Sequence, residues 1–135
     1  MTTARSTDNV GRDRARVTRD VELDDVLDLL ERAPRACLSW NDEDGPIAEP
    51  VVVQWRDRRC LTRVAGTAGR LMHGQEVVLL VDEGVHWFDL RAVYLRGVVQ
   101  SVEPPPDSSP GHVWFEITVA SGVAWDYGKL RRVEP

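Results

Sequence analysis

The sequence is poor in cysteine, in lysine and in long apolar runs, and each shortage narrows what the chain does. Cys37 and Cys60 are the only cysteines among 135 residues. Each sits in an apolar stretch, ACLSW and RRCLTRV, where a free thiol packs as a small hydrophobe; a disulfide or a reactive thiol is the competing reading. No segment approaches the ~18 apolar residues of a membrane span, and Arg and Asp occupy the N-terminus where a secretory signal needs an apolar stretch. The expectation is a cytoplasmic protein with no membrane partner. Lys129 is the only lysine against sixteen arginines, so an anion site here is an arginine site with planar, multi-donor geometry. HExxH, CxxC, GxSxG and GxxxxGK[ST] are all missing, and His73, His86 and His112 lie far apart without ligand spacing. The familiar zinc, thiol-redox, hydrolase and P-loop readings fall with them.

What is present is the composition of one globular domain, 42% hydrophobic and 29% charged. The net charge is −5, yet residues 1–20 hold five Arg against three Asp, so the remaining chain is more acidic than the total suggests. An acidic body argues against a nucleic-acid partner, although five tryptophans raise the idea. Residues 1–19 lack apolar periodicity and read as a disordered basic tail; residues 20–135 form the domain. Asp20 is a candidate N-cap, and Leu23, Val26, Leu27 and Leu30 mark one face of an amphipathic helix closed by Pro34.

Beyond the helix the pattern turns extended. Residues 36–40 and 47–55 read as strands joined by the acidic loop 41–45, residues 58–64 as a third and 76–81 as a fourth. Residues 86–103 have extended character over a length unusual for one strand, with Gly97 as the natural bulge. Residues 113–119 and 123–127 are a sixth and seventh. The fold class is mainly β, a six- to seven-stranded antiparallel barrel with an N-terminal amphipathic helix; a sandwich is the alternative.

Three clusters are candidates for chemistry. Thr62, Arg63, Thr67 and Arg70 surround a Gly-Thr-Ala-Gly loop that leaves a strand, where backbone N–H groups and guanidinium converge on a phosphate; a plain loop is the competing reading. Strand alternation through Trp87, Asp89 and Arg91 aligns an aromatic, an acid and a cation on one face, or leaves a surface ion pair beside a Trp. Trp125, Asp126 and Tyr127 either dock a planar ring or anchor the C-terminus.

The order of these pieces, ACLSW, DEDGPIAEPVVVQW, CLTRVAGTAGR, EVVLLVDEG, WFDLRAVYLRGVVQ and AWDYGKLRR, resembles the pyridoxamine 5′-phosphate oxidase-like family of flavin- and deazaflavin-binding split barrels over about residues 20–133. The resemblance implies a homodimer with FMN, or the deazaflavin F420, in a groove at the dimer interface; haem is a further ligand of such barrels. Carried over, Arg63, Thr67 and Arg70 contact the cofactor phosphate, Arg70 standing where the family often has Lys. Residues 50–55 run along the ring with Gln54 in contact, and Arg91 and Trp125 come from the partner chain. The basic helix and Asn-Pro turn of the family shrink here to LMHGQE, and the Arg-rich substrate segment of the true oxidase is not evident. The implied activity is hydride transfer to or from a small molecule of unknown identity. The rival is a non-catalytic flavin- or haem-binding barrel or dimeric interaction module.

Overall fold

The computed structural model describes residues 16–18, 20–65, 71–129 and 131–133. In chain order these form β1 (Arg16–Thr18), β2 (Asp20–Val21), a 3-10 turn (Leu23–Val26), α1 (Leu27–Arg32), β3 (Arg35–Asp42), β4 (Gly45–Pro50), β5 (Val52–Arg56) and β6 (Arg59–Ala65). After residues 66–70 come β7 (Glu76–Glu83), a second 3-10 turn (Trp87–Asp89), β8 (Arg91–Val102), β9 (His112–Asp126), a third turn (Tyr127–Lys129) and β10 (Arg131–Val133). The fold is mainly β: seven antiparallel strands in a curled half-barrel with one short N-terminal helix.

The main sheet has the order β4-β3-β7-β8-β9-β6-β5, with β2 added on β9, while β1 pairs only with β10. β4 and β5 therefore lie at opposite edges of the sheet, although only Val51 separates them in the chain. The Val51 N–H donates to Ala36 O at 3.0 Å, which fixes this corner against β3. A sheet whose two edges are joined by one residue has to curl. Pro46 and Pro50 both lie in the edge strand β4, where a missing N–H removes no central ladder bond.

The concave side of the curl is the core. Alternate residues from every long strand face it, among them Leu38, Val53, Cys60, Leu79, Leu95 and Ile117, and α1 closes it with Leu29 and Leu30. Cys60 is buried and free, Cys37 is free and half-buried, and burial pushes the Cys60 thiol up to about 12, with nearby Glu116 adding to the rise. Cys60 is thus a protonated core residue at neutral pH.

Several sequence-derived boundaries move. Residues 47–55 are two strands on opposite edges rather than one, because the chain turns at Val51. Residues 113–119 and 123–127 are parts of the single strand β9; Gly122 stays in the ladder opposite Leu95. The first part of the 86–103 stretch is a 3-10 turn, so β8 begins at Arg91. The helical face is Val26, Leu29 and Leu30 with Leu23 packed beside them, whereas Leu27 is 39% exposed. The segment opens with three residues per turn before it becomes α-helical, which shifts the inward face by one position. Asp20 is not the cap: it pairs with Trp125 in the sheet, and the N–H of the cap residue Glu22 donates to the Asp25 carboxylate at 3.3 Å. Arg16–Thr18, within the segment read as a tail, pair with β10.

Gly97 sits where expected, at a bulge. The β8–β9 register shifts between Arg96 and Gly97, leaving Ala120 as the extra residue of β9. A Cβ at Gly97 would lie 2.2 Å from Thr118 O and 2.9 Å from Ile117 Cγ2, both in the centre of the sheet. Gly97→Ala is expected to lower unfolding free energy by ~1–3 kcal/mol in chemical denaturation. The β5–β6 hairpin turns through Asp57 and Arg58 at φ 52° and 65°, the left-handed pair of a type I′ turn. Arg58→Gly relieves that conformation and is expected to raise stability by ~0.5–1 kcal/mol.

Candidate functional site

The side of the sheet opposite the core carries the site. Alternation along β5 sends Val53 into the core and Val52 and Gln54 to the outer face. Cross-strand register then lines up Val52, Arg63, Trp114 and Val102 in one row and Gln54, Leu61, Glu116 and Gln100 in the next. Leu61 and Trp114 are buried although they lie outside the hydrophobic core cluster.

Unmet hydrogen-bonding capacity concentrates here. Gln54 Oε1 and Trp114 Nε1 are buried without a hydrogen-bond partner, a state that costs ~1–3 kcal/mol per group when nothing fills it. His112 Nδ1 is a third such atom, and His112 pairs with Ala65, immediately before residues 66–70. Two arginines on this face differ in their partners. Arg59 binds Glu116 at 2.8 Å, and its guanidinium holds the Glu116 carboxyl below the usual range. Arg63, half-buried, has no carboxylate within 4.0 Å among the described residues. The arrangement offers one acceptor, one donor and one cation without a carboxylate partner among the described residues, on adjacent rows of the sheet.

Of the residues singled out in the sequence, Gln54 and Arg63 share this face. Thr67 and Arg70 lie outside the described residues. Trp114 was missed, although the alternation in HVWFEITV already put it on the side opposite Phe115 and Ile117.

Arg91 and Trp125 lie at the far end of the sheet. Trp125 is eleven residues along β9 from Trp114, on the order of 30 Å of strand, and its ring packs on Tyr94 with centroids 5.4 Å apart. The Arg91 guanidinium donates to Asp28 Oδ1 and Oδ2 at 2.7 and 2.9 Å, to Glu83 Oε2 at 2.9 Å and to Asp25 O at 3.1 Å. Its Nε lies 3.6 Å from the carboxylate of buried Asp126. The expected alignment of Trp87, Asp89 and Arg91 does not form, because Trp87 and Asp89 belong to the 3-10 turn. Asp89 instead accepts from the Val85 and His86 N–H groups at 3.1 and 2.9 Å.

Comparison by sequence finds no family and no curated protein that matches the chain. Comparison by structure does. An FAD-binding protein from Mycobacterium smegmatis superposes with a TM-score of 0.63 at 14% identity, covering 86% of this chain and 98% of the other. A protein described as a candidate pyridoxamine 5′-phosphate oxidase from Corynebacterium glutamicum gives 0.60 at 14% identity, over 82% and 99%. A haem-binding protein from Mycobacterium smegmatis gives 0.58 at 12%, over 78% and 55%. This chain has the split-barrel fold. At these identities the likeness concerns the fold alone.

Within the split barrel the Arg91 cluster acts as a structural tie, joining α1 to β7, β8 and β9. Arg32 extends it by bridging Asp28 at 3.3 Å and Glu83 at 2.8 Å. Hydrogen bonds from Arg91, and then from Arg32, hold the Asp28 carboxyl well below the ordinary aspartate range. A depressed value makes Asp28 stabilising above its unfolded pKa and progressively less so as pH falls through the folded one. Asp28 is half exposed, so solvent screening limits Asp28→Asn to a loss of ~0.5–1 kcal/mol at neutral pH. Denaturation series should show the gap to wild type narrowing below pH ~4. Arg91→Met, which takes the guanidinium from buried Asp126 and leaves Glu83 with Arg32 alone, is expected to cost more, ~1–3 kcal/mol at pH 7.

Proposed function

We propose that this protein is a small flavin- or deazaflavin-dependent oxidoreductase that binds FMN or F420 between two copies of the chain. The observation that carries the reading is the outer face of β5, β6 and β9, where Arg63, with no carboxylate partner among the described residues, accompanies the unsatisfied Gln54 Oε1 and Trp114 Nε1. The pyrimidine edge of a flavin alternates carbonyl and N–H groups, so it donates to an amide oxygen and accepts from an indole N–H. Deazaflavin keeps the same edge. Haem carboxylates accept from Arg63 and Trp114 but leave the Gln54 oxygen unmet, which makes haem the second reading. That solved split barrels include FAD- and haem-binding proteins supports the ligand class.

In this proposal Arg63, with Thr67 and Arg70, neutralises the cofactor phosphate, Gln54 and Trp114 orient the ring, and Leu61 and Val52 keep water from its flank. Trp125 is assigned to the same cofactor only through the second copy, because the length of β9 separates it from Arg63 within one protomer; Arg91, expected there as well, has its donors engaged by Asp28, Glu83 and Asp25 O. A bound flavin or deazaflavin supplies hydride transfer, and the protein supplies position and field. The substrate is a small molecule reaching the exposed side of the ring.

Reconstitution tests this directly. The full chain, incubated with FMN or with F420 and desalted, is expected to retain one cofactor per chain and to sediment as a dimer. Arg63→Ala should weaken binding by ~1.5–3 kcal/mol, tenfold or more. Gln54→Leu should give a characteristic pair of effects, higher stability without cofactor and lower affinity for it, since it removes a buried unmet acceptor that the ring would satisfy. Retention of haem with no affinity for either flavin selects the second reading; binding of none of the three refutes both.

A further inference from the structure

The outer face holds another feature that the cofactor reading does not use. A cavity of about 450 Å³ opens across β3, β4, β7, β8 and β9, its lining including Ser39, Trp40, Arg96 and Ser121. The Arg96 guanidinium sits over the Tyr94 ring, 5.3 Å from its centroid, and among the described residues it has no carboxylate within 4.0 Å. Trp40 borders the cavity from the core side, packed in the hydrophobic cluster with Leu38. Ser39 Oγ makes only a long 3.5 Å bond to Val78 O.

The carboxylate in the lining, Glu76, is two residues along β7 from Val78, the register partner of Arg96, about 7 Å of strand. Pro46 and Val98 give the cavity apolar wall. We propose that this cavity is a binding site for a small carboxylate with an apolar body. Guanidinium presents a planar fork that matches the two oxygens of a carboxylate, the Ser39 and Ser121 hydroxyls add donors, and the apolar wall accepts the rest of the molecule. The volume lies in the usual range for small-molecule sites. Arg96 is six residues along β8 from Val102, the partner of Trp114, about 20 Å of strand, so its guanidinium is remote from the row of Arg63 and Trp114 in one protomer.

Titration calorimetry of the full-length protein provides the test. Benzoate is expected to bind saturably, and benzamide, the same ring without the charge, is not. Arg96→Gln should weaken the benzoate response tenfold or more, with Arg96→Lys intermediate, while thermal stability and flavin retention stay at wild-type levels. Arg63→Ala should leave the benzoate response intact, so failure of this site and failure of the cofactor reading are told apart. The proposal is overturned if benzoate shows no saturable binding, if benzamide matches it, or if Arg96→Gln responds like wild type.

Discussion

Closure of the sheet at Val51 is the constraint on which the remaining architecture depends. Two strands at opposite edges of a seven-strand order are consecutive in the chain, so the order can exist only if the sheet bends until its edges meet. The bend separates a concave side, filled by aliphatic side chains and α1, from a convex side that carries both the row of Arg63 and Trp114 and the Arg96 cavity. Gly97 gives β8 and β9 the close approach such curvature needs at their longest span, where any side chain would strike the Thr118 carbonyl. The arrangement also explains why α1 is so short: it spans the mouth of a half-barrel and has no second layer to cover.

The arginines divide by what they face. Arg91 and Arg32 are held among carboxylates at the seam between helix and sheet, Arg59 is held by Glu116, and Arg63 and Arg96 have no carboxylate within ion-pair distance among the described residues. Composition shows that the chain relies on arginine, but only the three-dimensional arrangement shows which guanidinium groups are already engaged. An arginine within reach of three acids has its donors spoken for and acts as a fastener; one held beside apolar or aromatic neighbours keeps its fork available to an incoming oxyanion.

Much of the fold was legible from local pattern. The change from helical to alternating periodicity after Pro34, the bulge at Gly97 and the antiparallel strand content all follow from residue type and spacing. The errors came where tertiary contacts override local signals. Nothing in EPVVVQW shows that the chain changes sheet edge at Val51, because strands on either side of the corner have the same composition. Leu29 was missed because a 3-10 opening shifts the helical face, and Trp87 to Asp89 alternate like a strand while folding as a turn capped by Asp89. In the site, Arg63 was identified from the Gly-Thr-Ala-Gly loop and Gln54 through resemblance, and the two share a face. Trp114 was readable from alternation alone, yet its unmet N–H depends on packing that no sequence pattern reveals.

The pairing of β1 with β10 brings Arg16 opposite Val133, while β2 continues the same approach along β9. The two ends of the described domain are therefore neighbours in space. A tag or reporter attached at either end emerges from the same corner of the molecule, and a short linker joining those ends would span little distance. The chain is consequently well suited to circular permutation, with new termini opened in the turn between β3 and β4 at the sheet edge, at a distance from the row of Arg63 and Trp114.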